Sequence, residues 1–204
     1  AGADALELNM FVTPSDASKT SENHEQFYLE TIQKVLAVVK IPVTVKISHY
    51  FSNLSGMVQK LAATGIAGIT IFNRFYSPDV DIQSESVTVA DVLSTSHDYQ
   101  LPIKWTGILS DEIKIELSAT SGFHSAVSAL KFLLSGATAV QVASVLYHEG
   151  PSAITRMNQG ISDWMDQKGY KTISEFQGSL SQAATSAQAW ERTQFMKYFG
   201  EKAY

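Results

Sequence analysis

Short apolar runs alternate with longer amphipathic stretches along most of this chain. The short runs predict strands at residues 5–9, 43–47, 67–72, 115–119 and 139–143, with another extended piece at 103–108. Apolar residues at three- and four-residue spacing predict helices at 22–40, 53–64 and about 152–167, and a further helix over 126–134 that ends at Gly136. This alternation is typical of a parallel α/β fold.

Five core strands are too few to close a (β/α) barrel, which has eight strands. The pattern therefore leaves two alternatives: an open doubly wound sheet, or the last part of a barrel whose earlier strands precede Ala1. Residues 74–100 lose the periodicity and are too long for a plain loop, so we interpret them as a functional insertion that contains a small hairpin. Residues 181–204 are predicted to form a peripheral helical tail.

Composition narrows the class of protein. Hydrophobic residues make up 45% and charged residues 17% of 204 residues, as in a folded protein with a substantial core. The net charge of −5 argues against a nucleic-acid partner, and no apolar run is long enough to span a bilayer. The absence of cysteine excludes thiolate chemistry and disulfides and fits a reducing compartment, so we expect a cytoplasmic protein. The five histidines show no metal-ligand spacing, so no metal site is predicted.

Two turns of small residues follow the last two predicted strands. Ser121 and Gly122 form one turn, and Ala143 and Ser144 form the other. Small side chains let backbone N–H groups approach a phosphate, and the loops after the last two strands are the usual phosphate site of a (β/α) barrel. Tight packing between strand and helix also favours small residues. The adjacent pair favours the phosphate interpretation.

Polar residues end three other predicted strands. Lys46 interrupts an apolar strand, which suits a lysine that contacts a flavin ring or one that forms a Schiff base, as in an aldolase. A lysine that reaches the rim for solvent is the third alternative. Asn9 and Asn73 could present amides to a planar ligand or form turns, and Arg74 could bind a carboxylate.

Several segments together resemble class 1 dihydroorotate dehydrogenases. They are Glu7-Leu8-Asn9, Val45-Lys46, Asn73, and the run from Gly136 through Ala143-Ser144 to Gly150-Pro151 and on to Gly178. The resemblance covers residues 1 to about 180 and implies the C-terminal portion of a flavin-binding (β/α)8 TIM barrel, from its fourth to its eighth strand. It implies FMN as cofactor, with Lys46 against the isoalloxazine ring and with Ser121, Gly122, Ala143 and Ser144 at the phosphate. It also implies that Asn9 and Asn73 hold a pyrimidine substrate, to which we add Arg74.

The loop after the first strand departs from that family. The family has a serine or cysteine base there, whereas this chain has Val12, which cannot accept a proton, and Pro14 where the family has an asparagine. Thr13, Ser15 or a loop histidine could substitute for the base, and the sequence selects none of them. His49 and His124, just beyond strand ends, are the histidines nearest to the predicted site.

The resemblance implies an FMN-dependent oxidoreductase that transfers hydride from dihydroorotate, or from a related small planar molecule, to flavin in pyrimidine biosynthesis. Two alternatives remain open: a Schiff-base aldolase acting on a phosphosugar through Lys46, and a flavin-binding relative without activity. The expected partner is a small molecule, with no nucleic acid and no membrane. A homodimer is compatible with this interpretation.

Overall fold

A computed structural model describes residues 2–74 and 77–191 of the protein. Its main sheet has five parallel strands, whose order in the sheet is their order along the chain, β1-β2-β3-β6-β7. The strands are β1 (Leu6–Asn9), β2 (Val43–Ile47), β3 (Gly68–Ile71), β6 (Glu116–Thr120) and β7 (Ala139–Gln141). A doubly wound sheet reverses its strand order at a switch point. The described sheet has no such reversal, so the doubly wound alternative is wrong.

In the part of the chain that the structure describes, seven helices of two lengths connect or follow the strands. The longer ones are α1 (Ser21–Leu36), α2 (Leu54–Ala62), α3 (Gln100–Leu109), α4 (Ala126–Ser135) and α6 (Ser152–Lys168). The short ones are α5 (Ser144–Glu149) and α7 (Ala187–Glu191), with a 3₁₀ turn at Ile173–Glu175. Among the described residues, none of these helices is long and apolar enough to cross a bilayer. Most of the predicted tail, from 192 onward, lies outside the described residues.

The two faces of the sheet differ in chemistry. Alternate side chains of a strand point to opposite faces, and one face carries the buried apolar residues Val45, Ile69, Ile71 and Leu117, which belong to a single hydrophobic cluster that includes residues of α1 and α2. The opposite face carries polar residues that share the alternate register: Glu7, Thr44, Lys46, Thr70, Ser118 and Gln141. The sheet therefore has a dry, helix-covered side and a polar side.

The polar side is concave. β1 and β7 are the outer strands of the sheet, four strand spacings apart, which would be about 19 Å in a flat sheet. Yet the side-chain nitrogen of Gln141 on β7 lies 2.7 Å from a carboxylate oxygen of Glu7 on β1. Two side chains of this length cannot bridge a flat sheet, so the sheet is strongly curved, with its polar face on the concave side.

Residues 74–100 contain the predicted hairpin. Strands β4 (Pro78–Asp81) and β5 (Ser86–Val89) pair antiparallel, with Val80 opposite Val87. Both valines are exposed, and the hairpin stands apart from the main sheet. The rest of this insertion, residues 91–99, returns to the sheet end and borders the cavity described below.

Three predicted elements need correction. The piece at 103–108 is not extended, since it lies within helix α3, where Pro102, Thr106 and Leu109 are buried at helical spacing. Helix α1 ends at Leu36 rather than at residue 40, because residues 37–40 are needed to turn the chain into β2. The last strand stops at Gln141, since α5 begins at Ser144.

Candidate functional site

A cavity of about 540 Å³ opens at the carboxyl ends of the parallel strands. Side chains from β2, β6 and β7 form its wall together with the turns that follow β3, β6 and β7. The lining residues predicted from the sequence are Lys46, Asn73, Arg74, Ser121, Gly122, Ala143 and Ser144. Its volume lies within the usual range of small-molecule sites, about 300–1,000 Å³. Seven of the ten residues singled out from the sequence thus meet at one place.

Lys46 projects from β2 into this cavity and is held by a chain of hydrogen bonds. Its ammonium nitrogen donates to the amide oxygen of Gln141 at 3.3 Å. The amide nitrogen of Gln141 donates to Glu7, whose same carboxylate oxygen accepts from the Thr70 hydroxyl at 2.6 Å. Because Glu7 fixes which way the Gln141 amide points, the amide oxygen faces the lysine.

Glu7 and Gln141 were not among the site residues predicted from the sequence. Glu7 lies on the same strand face as Asn9, two residues before it, and Gln141 pairs with Thr120, which directly precedes the predicted turn at Ser121. A polar alternation shared by all five strands was the available signal. It would have predicted a polar concave face rather than isolated polar strand ends.

The turn after β6 has unusual backbone geometry. Ser121 and Gly122 both have positive φ, at +84° and +78°. A Cβ on Gly122 would lie 2.5 Å from the backbone nitrogen of Tyr99, so the insertion packs directly against this glycine. Helix α4 starts soon after, capped by the Ser125 hydroxyl, which accepts from Ser128 N–H.

The turn after β7 contacts the insertion as well. Helix α5 begins at Ser144, and its preceding residue, Ala143, makes no side-chain cap. The Ser144 hydroxyl accepts from Ser94 N–H at 2.8 Å, and the buried Ser94 hydroxyl lies 3.2 Å from Nε2 of His124. Residues 94–99 therefore border both turns.

Asn73 and Arg74 line the cavity and also hold the structure together. The buried side-chain nitrogen of Asn73 donates to the carbonyls of Met10 and Lys46, at 3.2 and 3.4 Å, which joins the ends of the first three strands. The Arg74 guanidinium donates to the carbonyls of Asp91 and Val92, and its Nε lies 3.6 Å from the Asp98 carboxylate. Much of the hydrogen-bonding capacity of Arg74 is thus directed at the insertion.

Asn9, Thr13 and Ser15 lie elsewhere. All three are exposed, and none lines this cavity or its neighbour. Val12 packs against the main hydrophobic cluster. The loop after β1 therefore brings no proton-accepting side chain to the cavity.

A second cavity of about 270 Å³ adjoins the first and shares Asn73, Arg74 and Ser121 with it. Its other wall includes His49, Phe72, Asp98 and Pro102. The His49 ring lies edge-on to Phe72, with 5.8 Å between centroids, and 4.4 Å from the Tyr50 ring. Burial lowers the pKa of His49, so its imidazole is neutral near pH 7.

The described residues contain no cluster of metal-ligating side chains. Within residues 2–74 and 77–191, no three histidine, aspartate or glutamate side chains come together in a way that could hold a metal ion. His124 and His148 approach each other, with ring centroids 6.3 Å apart, and His124 is engaged with Ser94.

This is an α/β protein with a polar cavity at the carboxyl ends of its parallel strands, bordered by two turns of small residues. The family model of dihydroorotate dehydrogenase matches residues 2–165, and the chain belongs to that family. A similar protein is the catalytic subunit of dihydroorotate dehydrogenase B (NAD(+)) from Pelobacter propionicus, 28% identical over 144 residues, which cover 69% of this chain and 47% of the relative.

Two yeast relatives carry the name dihydroorotate dehydrogenase (fumarate). That of Lachancea kluyveri is 28% identical over 165 residues, and that of Saccharomyces cerevisiae is 29% identical over 164. Each alignment covers 74% of this chain and 52% of the relative. The chain thus spans about half the length of the curated relatives it matches.

Proposed function

We propose that this protein is an FMN-dependent oxidoreductase that oxidises dihydroorotate or a related small planar molecule. The observation that carries the proposal is the larger cavity, in which Lys46 faces two small-residue turns on adjacent strands. Membership of the dihydroorotate dehydrogenase family supports an oxidoreductase, without specifying its substrate. We include pyrimidine biosynthesis and a cytoplasmic location in this proposal.

The residues present fit FMN. Gly122 and Ser144 both line the larger cavity, and the α5 N–H groups lack a side-chain cap. Backbone N–H groups of the two turns would hold the phosphate. Lys46 would donate to the ring edge at N1 and O2, where negative charge develops on reduction. When bound, the flavin supplies a two-electron acceptor.

One buried group on the concave face also fits a ligand. Through the strand register, Ser118 lies at the same level of the sheet as Thr70 and Lys46. Its hydroxyl is buried and has no hydrogen-bond partner within the described part of the chain. Buried polar groups are seldom left unpaired, so a ligand or a further element of the protein is expected near it.

We further propose that the curved sheet is part of a (β/α)8 barrel. Strands four positions apart in an eight-stranded barrel face each other across a lumen that side chains fill. β1 and β7 are four positions apart, and Glu7 and Gln141 join them across the concave face. The family resemblance and this geometry support the same architecture.

FMN binding by the full chain tests the proposed function. We expect addition of the protein to quench FMN fluorescence, and Lys46→Met to weaken binding about 10- to 100-fold, since a hydrogen bond from a charged group contributes about 1.5–3 kcal/mol. Lys60→Met is the matched control, because Lys60 pairs with Glu25 on the surface.

Three outcomes separate the proposal from its alternatives. A chain that binds no FMN contradicts it. FMN binding without reduction by dihydroorotate or related dihydropyrimidines indicates a non-catalytic relative. A borohydride-stable adduct of a phosphosugar on Lys46 indicates the aldolase.

A further inference from the structure

The oxidation proposed above requires a group that takes a proton from the substrate, and the loop after β1 does not supply one. Val12 is half-buried and packs against the hydrophobic core. Thr13 and Ser15 are exposed and line neither cavity. The described part of this loop therefore offers no proton acceptor, and the other strand ends are the next candidates.

The smaller cavity offers such a group. His49 follows β2 directly and lies on the wall of this cavity, which shares Asn73, Arg74 and Ser121 with the larger one. A small ligand in the smaller cavity would thus adjoin whatever occupies the larger one. Among the described residues, no hydrogen bond engages the imidazole nitrogens of His49. A free imidazole at a cavity wall can accept a proton from a ligand.

His124, the other histidine beyond a strand end, is placed differently. Its Nε2 lies 3.2 Å from the Ser94 hydroxyl, and its ring lines neither cavity. It therefore serves as the control for any effect assigned to His49.

His49 is neutral because it is partly buried, and the charged groups near it do not offset this effect. Arg74 and Asp98 share the cavity with it, and their opposite charges lie 3.6 Å apart, so their fields largely cancel. Tyr50 and Phe72 pack against its ring. Burial among these groups lowers the pKa of His49 below the ordinary value of about 6.5, so its base form is present at neutral pH.

We propose that His49 is the proton acceptor of this enzyme, acting on a substrate that lies in the smaller cavity and has a C–H bond next to a carbonyl group. This inference rests on the proposed function. As the C–H bond breaks, the proton passes to an imidazole nitrogen and the electron pair moves toward the carbonyl oxygen. The proton can return from the imidazole, so this step alone exchanges hydrogen with solvent. The flavin is the oxidant of the overall reaction.

Hydrogen exchange tests this role apart from oxidation. We would incubate the full chain with FMN and dihydroorotate in D₂O without oxygen, and follow deuterium at the carbon beside the ring carbonyl by NMR of the ligand. We expect His49→Asn to slow exchange at least about 100-fold, as for loss of a general base, and His124→Asn to leave it unchanged. The rate should rise with pH through a midpoint below about 6.5, and His49→Asn should remove that rise.

Two measurements establish whether His49 meets a ligand and stays neutral. Titration with orotate should shift the imidazole NMR signals of His49 and leave those of His124 in place. As the pH falls, His49 is protonated in the unfolded chain at a higher pH than in the folded chain. The free energy of unfolding should therefore be unaffected by His49 above about pH 6.5 and should fall as the pH drops below it. His49→Asn should flatten this fall.

The results that would contradict the His49 proposal differ from those that would contradict the proposed function. The His49 proposal is overturned if wild type shows no exchange, if His49→Asn exchanges at the wild-type rate, or if orotate leaves the His49 signals unmoved. FMN binding in the same samples then shows whether the proposed function survives. Orotate contact at His49 without any FMN binding would instead sink the proposed function.

Discussion

The turns after β6 and β7, at one side of the sheet, differ in structure from the loop after β1 at the other side. After β6 and β7, the small-residue turns face one cavity and contact residues 94–99 of the insertion. After β1, residues 9–15 are mostly exposed and reach neither cavity. The turns after β6 and β7 are thus defined by their backbone geometry. The loop after β1, where the resemblance implies the base, is a surface loop in which Val12 packs against the core.

This difference indicates where substitutions are tolerated. A phosphate site made of backbone N–H groups would depend on the backbone conformation of its turns, and Ser121 adopts positive φ without being a glycine, at a cost in strain. A proton acceptor constrains side-chain chemistry. Val12 cannot accept a proton, so the proposed oxidation needs a group from elsewhere, for which we propose His49 after β2.

The largest effect is expected at Gly122. We predict that Gly122→Ala lowers the free energy of unfolding by about 2–4 kcal/mol and abolishes FMN binding. A Cβ at φ +78° is strained and would lie 2.5 Å from the Tyr99 nitrogen, so the insertion must move away from the turn. Urea denaturation and FMN fluorescence provide the two measurements.

Gly65 supplies the matched control for this substitution. It has φ +94°, and nothing lies within 4 Å of its added Cβ. Gly65→Ala should therefore cost only the backbone strain, about 1–2 kcal/mol, and leave FMN binding intact. Equal effects at the two glycines would show that the contact between the insertion and the β6 turn is not important for the site.

Ser121 should respond in the opposite direction. It is a non-glycine residue with φ +84°, which is strained for any residue with a side chain. We predict that Ser121→Gly raises the free energy of unfolding by about 0.5–1 kcal/mol, after the added chain entropy of glycine is subtracted. The exposed Ser96, which has ordinary φ, is the control, and Ser96→Gly should be neutral or slightly destabilising. A destabilised Ser121→Gly variant would indicate that the Ser121 hydroxyl makes a contact that matters.

Sequence pattern predicted the strands better than the connections between them. β2 occupies the predicted residues because each of its alternate apolar positions is buried, whereas α3 was predicted to be extended because its short apolar run fits both periods. Strand-end position correctly anticipated the meeting of Lys46, Asn73 and the two turns.

Two kinds of feature could not be predicted from local pattern. The bond between Glu7 and Gln141 spans 134 positions and depends on sheet curvature, which no short window contains. The choice of His49 over His124 depends on which ring faces a cavity, and that depends on how the insertion folds back over the strand ends.

The smallest effect is expected in the loop after β1, and it is the sharpest test of the comparison. We predict that Thr13→Ala and Ser15→Ala each change the free energy of unfolding by less than about 0.5 kcal/mol, as for exposed residues without tertiary contacts. Neither should change FMN affinity or the exchange of substrate hydrogen by more than about twofold, because neither residue lines either of the two cavities described above. A tenfold loss of exchange in either variant would mean that this loop closes over the substrate and that the base has stayed on β1. The proton acceptor would then lie in the loop after β1, and His49 would only line the smaller cavity.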